Sequence, residues 1–208
     1  MTGIPGAAIL VVLAYLIGAI PFGILIGRLA RGVDLREHGS GRTGATNALR
    51  TLGWGGAAAT FALDLAKGLV AVLLVGWLYK AGPAGSPPWV AAAAGMAAVM
   101  GHIRSVFIAF RGGRGVATFA GAMLATSPWT FAVVVPIVLL IIWRSRVVSL
   151  GSLIGCLLAP IVTLVLVVLG QATWAGLVLA LGGAALVAAA HRDNIARLRA
   201  GTERRLGT

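Results

Sequence analysis

The sequence predicts an all-α integral membrane protein of about seven transmembrane helices, some short, with Gly/Arg-rich loops gathered at the cytoplasmic face to form the site. Three observations carry that expectation. The chain is 59% hydrophobic and only 11% charged. Its apolar runs are long and free of charge. Its arginines fall between alternate runs, so residues 1–208 read as a single transmembrane domain.

The first run, residues 4–27, lacks a preceding basic region and exceeds the core of a signal peptide, so it is taken as a spanning helix. Further runs cover residues 55–79, 88–100, 116–126, 128–143, 147–169 and 172–190. Ser127-Pro128 separates the fourth from the fifth, because proline cannot continue a preceding helix. The runs at 88–100 and 116–126 are shorter than the ~20 residues of an upright crossing. They predict either short helices beside a dip in the membrane surface or a partly re-entrant segment.

Five arginines follow the first run, three the third, two the fifth and five the seventh, while the opposite loops hold only Lys80. The positive-inside rule then places the N-terminus outside, and the arginine-bearing loops and the C-terminus in the cytoplasm. Seventeen basic residues against five acidic ones would suit nucleic acid, but no soluble domain is present to carry such a surface. Cys156, alone in an apolar run, excludes an intrachain disulfide and reads as a small core residue.

Three polar stretches share the predicted cytoplasmic face. In residues 39–50, Gly39, Gly41 and Gly44 can turn backbone N–H groups toward one point, and Arg42 and Arg50 can add contacts to phosphate oxygens. The literal Gly-x-Gly-x-x-Gly is not a dinucleotide turn, since the preceding residues are polar and Asp64 lies within an apolar run. In the second stretch, residues 101–118, Gly112, Gly113 and Gly115 precede an apolar helix beside Arg114. In the third, His191 and Asn194 are one helical turn apart. Singly, each stretch is equally well a polar membrane loop; together they point to a shared anion site.

Asp64 and Lys67, spaced i,i+3, are expected to neutralise each other and fix helix packing rather than serve chemistry. Ser149 and Ser152 share a helix face, where a serine commonly bonds a carbonyl one turn back.

Taken in order, residues 39–50, 101–118 and 191–203 resemble the three motifs of the bacterial acyl-phosphate:glycerol-3-phosphate acyltransferase family, the PlsY type. Asp64-Leu65-Ala66-Lys67-Gly68 and Ser149-Leu150-Gly151-Ser152 resemble further segments of that family. The resemblance implies transfer of an acyl group from acyl phosphate to the 1-hydroxyl of glycerol 3-phosphate, giving lysophosphatidic acid and phosphate for phospholipid synthesis in the bacterial plasma membrane. It implies Ser40, His191 and Asn194 as catalytic residues. Ser40, Arg50, Gly112, Gly113, Arg114, Gly115, Ser149, Ser152, His191 and Asn194 would bind substrate and phosphate, with Glu203 bracing the third loop. No cofactor and no metal are expected, and the partners are the two substrates and membrane lipids.

The chain departs from the family pattern at three places. Arg42 stands where motif one usually has asparagine, Arg104-Ser105 where motif two has Phe-Pro, and Arg114 where the phosphate loop has lysine. These changes keep open a related acyltransferase with another donor or phosphorylated acceptor. An anion or phosphate transporter is disfavoured, because there is no internal repeat and Asp64 and Lys67 are the sole midplane charges. The absence of Gly-x-Ser-x-Gly argues against a serine acyl-enzyme.

Overall fold

A computed structural model describes residues 3–80 and 87–207. Among them there are nine α-helices and no strand: α1 (Gly3–Ala19), α2 (Phe22–Arg31), α3 (Ala45–Lys80), α4 (Pro88–Ile103), α5 (Val116–Thr126), α6 (Pro128–Ser145), α7 (Val148–Val168), α8 (Trp174–Ala190) and α9 (Arg192–Arg199). The outer loop assigned to follow Lys80, residues 81–86, lies outside the described residues.

Each predicted run is helical, but two boundaries differ. The first run is broken at Ile20-Pro21, where Pro21 has no N–H to continue the ladder, and α2 carries Arg28 and Arg31 onward as an amphipathic helix. Helix α3 begins ten residues early, at Ala45, and is interrupted at Gly53 (φ 81°). Residues 45–52 therefore form a separate helix of about two turns, which places Asn47 and Arg50 on a helix rather than a loop.

Five spans are long and apolar enough to cross a bilayer, with α1 and α2 counted together; α8 and α9, bent by 66°, would make a sixth. Helix α5, with 11 residues, rises only ~16 Å, about half the hydrocarbon thickness. The expected seven crossings thus appear as seven apolar stretches, of which α5 and α8 fall short by length. All six tryptophans are exposed and stand near helix ends or, for Trp54, beside the Gly53 break in α3, as interfacial anchors do.

Helix α4 is the hub, packing against α1, α3, α5 and α8. Helices α3 and α5 meet backbone to backbone: a Cβ on Gly68 would strike the Thr118 carbonyl, and one on Gly121 the Leu65 carbonyl. The core around Val99, Phe119, Leu179 and Val187 joins α4, α5 and α8. Helix α6 rests on α7 and α5 and turns Trp129, Leu139, Leu140 and Trp143 outward.

Candidate active site

A cavity of about 320 Å³ opens beside the N-terminus of α5. Its mouth is polar, lined by Ser40, Arg42, Arg50, Arg114, Gly115, Ser149, Ser152, His191, Asp193, Asn194, Arg197, Glu203 and Arg204. Beyond the mouth the cavity becomes an apolar groove between α5, α6 and α7, walled by such residues as Phe119, Val134, Val138 and Cys156. All three sequence-distant polar stretches therefore converge on one opening.

Asn47 organises the first stretch. Its side-chain oxygen accepts from the Ser40 N–H at 2.8 Å, and its Nδ2 donates to the carbonyls of Leu35, His38 and Arg42 at 2.7, 3.0 and 2.8 Å. One buried amide thus replaces a missing backbone ladder and holds Ser40 and Arg42 at the rim. Sequence reasoning missed Asn47, although a polar residue on a helix start beside a Gly-rich loop is a recognisable signal.

In the second stretch Arg114 and Gly115 line the cavity, whereas Gly112 and Gly113 stand behind its wall. Their N–H groups donate to the carbonyls of Ile103 and His102 at 3.2 and 3.1 Å, so these two donors are already engaged. Glycine is needed there for contact: a Cβ on Gly112 would strike the His102 carbonyl, and one on Gly113 the His102 ring. Arg114 donates through Nη2 to Asp193 at 2.8 Å, tying the second stretch to the third, while its buried Nε has no partner. Burial pushes the Arg114 pKa down; the charge of Asp193 opposes this and those of Arg42 and Arg197 reinforce it. Like charges crowded at a half-buried guanidinium favour an anion between them.

The third stretch turns at His191, between α8 and α9. The Nδ1 of His191 lies 2.8 Å from the Val187 carbonyl, which can only accept, so Nδ1 carries the proton and Nε2 keeps its lone pair. Burial lowers the imidazole pKa to about 4, leaving the ring neutral at physiological pH. Asn194 Nδ2 donates to Glu203 at 2.8 Å and Arg197 Nε donates to the other oxygen at 2.9 Å, so Glu203 braces this turn. The Oδ1 of Asn194 is buried without a partner.

The two serines separate. Ser152 donates to the Val148 carbonyl at 2.9 Å, whereas the buried Ser149 hydroxyl has no partner. Ser149 is therefore the free donor at the mouth.

Asp64 and Lys67 pair at 2.8 Å, as their spacing requires, and Lys67 also donates to the Ile20 carbonyl at the break after α1. His102 Nδ1 lies 3.4 Å from the same Asp64 oxygen, a neighbour that sequence spacing could not supply. Asp64 and His102 also line the cavity.

Counting charges at the mouth, five arginines (Arg42, Arg50, Arg114, Arg197, Arg204) face two carboxylates (Asp193, Glu203), an excess of three positive charges. Such a mouth opening onto an apolar groove fits an amphiphile with an anionic head. The glycerol-3-phosphate acyltransferase family profile matches residues 8–201.

The chain belongs to this family. A glycerol-3-phosphate acyltransferase 1 from Deinococcus radiodurans is 45% identical over 97% of this chain and 96% of its own length. A glycerol-3-phosphate acyltransferase from Thermus thermophilus is 45% identical over 94% of this chain and 92% of its own length. The crystal structure of PlsY (YgiH), an integral membrane glycerol 3-phosphate acyltransferase in its glycerol 3-phosphate form, superposes with a TM-score of 0.84 at 40% identity, covering 97% of this chain and 96% of that one. Its lysophosphatidic acid form gives 0.83 at 39% identity. The chain is thus a multi-pass membrane acyltransferase of this family.

Proposed function

We propose that this acyltransferase moves an acyl group from acyl phosphate to the 1-hydroxyl of glycerol 3-phosphate, releasing phosphate and lysophosphatidic acid at the cytoplasmic face of the plasma membrane. The observation that carries the reading is the single cavity in which an arginine-rich mouth continues into an apolar groove. Both substrates and the product carry phosphate, and donor and product also carry the chain.

The glycerol oxygen bonds to the acyl carbon, the bond from that carbon to the phosphate oxygen breaks, and the hydroxyl proton leaves with the phosphate. The arginines hold the phosphates, and the free hydroxyl of Ser149 and Nε of Arg114 donate to oxygens at the mouth. His191, neutral and with Nδ1 engaged at the Val187 carbonyl, orients the hydroxyl through Nε2, while a phosphate, whose second pKa is ~6, takes the proton. Asn194 and Ser40 complete the rim, and Gly112 and Gly113 hold Arg114 and Gly115 in place. The additional cation at Arg42 adds to the charge excess and favours a phosphorylated acceptor.

The test supplies purified protein in mild detergent with palmitoyl phosphate and glycerol 3-phosphate, with palmitoyl-CoA as a parallel donor. The reading expects equal amounts of phosphate and lysophosphatidic acid from acyl phosphate and no product from the CoA ester. Product from palmitoyl-CoA alone would overturn the donor. For His191→Ala, a turnover loss at saturating substrate well below the ~10²–10⁴-fold typical of a proton-transfer catalyst would match the orienting role.

A further inference from the structure

At its deep end the apolar groove reaches a hydroxyl relay. Thr163 Oγ1 donates to the Ala159 carbonyl at 2.7 Å, so toward Thr130 it can only accept, at 3.0 Å. Thr130 having spent its proton there, its oxygen accepts from Ser127 at 2.8 Å. The relay thus runs in one direction from the α5–α6 corner through α6 to α7, with every proton used and Ser127, Thr130 and Thr163 all buried. Water cannot compete for these groups in an apolar surrounding, so they clasp the deep ends of α6 and α7.

Thr130 and Ala159 line the cavity beside this clasp, and Met123 of α5 lines it from the other side. All three are at most 3% exposed. Along α6 the lining runs from Ile142 to Thr130, and along α7 from Val148 to Ala159. At the helical rise these distances are ~18 Å and ~16 Å, close to the ~15 Å that acyl chains fill in one leaflet.

We infer that this floor, Met123, Thr130 and Ala159 clasped by the Ser127–Thr130–Thr163 relay, measures the acyl chain and makes the enzyme selective for chains of membrane-phospholipid length. The inference rests on the acyl-phosphate reading above. Chains that reach the floor bury every methylene; longer ones meet the clasp, and shorter ones leave a void.

The test gives the enzyme equimolar dodecanoyl and hexadecanoyl phosphate with glycerol 3-phosphate and reads the ratio of the two lysophosphatidic acids by mass spectrometry. A ratio within one reaction does not depend on how much enzyme is folded. Wild type is expected to favour the hexadecanoyl product. Ala159→Leu raises the floor and should lower the hexadecanoyl-to-dodecanoyl ratio by about tenfold or more. Met123→Ala deepens it and should shift preference upward when octadecanoyl phosphate competes with hexadecanoyl phosphate. Either variant alone suffices to read the change. Wild-type activity with both ratios within about twofold of wild type would overturn the floor as a ruler. No product from wild type on any acyl phosphate would instead overturn the proposed reaction.

Discussion

At the mouth of the cavity, contacts depend on charge: Arg114 reaches Asp193 across 79 residues of sequence, and within the third stretch Asn194 and Arg197 reach Glu203. In the groove a few helices lie side by side, the walls are mostly apolar, and a chain of hydroxyls stands at the far end. The mouth recognises by the identity of its side chains, and the groove by the space that packing leaves. Substitutions at the mouth should therefore change rates steeply, whereas those in the groove should change which chain is used, or stability, by less.

The largest effect is expected for Arg114→Ala. It removes a half-buried cation and leaves Asp193 without its 2.8 Å partner, so kcat/KM should fall by about 10²–10³-fold, with Arg114→Lys restoring part of it. Steady-state kinetics with both substrates varied would check this.

The two serines give a sharper comparison. Ser149→Ala removes the unpartnered donor and should cost about 10–100-fold in kcat/KM for glycerol 3-phosphate. Ser152→Ala, losing only a bond to the Val148 carbonyl, should stay within a few-fold. Equal losses would contradict the assignment of Ser149 as the free hydroxyl.

His191 yields a pH dependence of known sign. Its folded pKa of about 4 lies below the ordinary 6.5, so between those values the unfolded chain holds more protons. His191 therefore adds to stability as pH rises through that window, and stability falls as pH drops toward 4. Thermal unfolding in detergent should show a shallower slope over that window in His191→Gln. The kcat/KM profile should show no ionisation of this ring between about pH 5 and 8.

The smallest effect is expected at the floor. Thr130→Val keeps the shape but breaks the relay, and should cost ~0.6–1.7 kcal/mol of stability, in the range of intramembrane hydrogen bonds. Thermal unfolding would read it, and no loss would mean that the relay does not clasp α6 to α7.

The same contrast explains what the sequence made legible. Hydrophobic periods and arginine placement located the helical stretches, because bilayer thickness and lipid composition constrain those features directly. The convergence of Arg50, Arg114, His191 and Asn194 was legible because charged groups at a membrane face announce themselves. The break after Ala19 and the kink at Gly53 were hidden in continuous apolar or small-residue runs. Whether Gly112 and Gly113 face a ligand or a neighbouring helix depends on packing, and the structure turns them toward His102. The groove was invisible for the same reason. No residue type marks a space between α5, α6 and α7, and Thr130 and Thr163 read as ordinary helix residues until their 3.0 Å contact is known.

The central claim is that mouth and groove form one site holding head and chain together. Equilibrium binding of labelled lysophosphatidic acid to the wild-type protein in detergent tests it most directly, with glycerol 3-phosphate and palmitoyl phosphate as separate competitors. Either competitor alone should displace the label, the first by filling the mouth and the second by filling the groove. Label that remains bound at saturating concentrations of one of them would contradict a shared cavity.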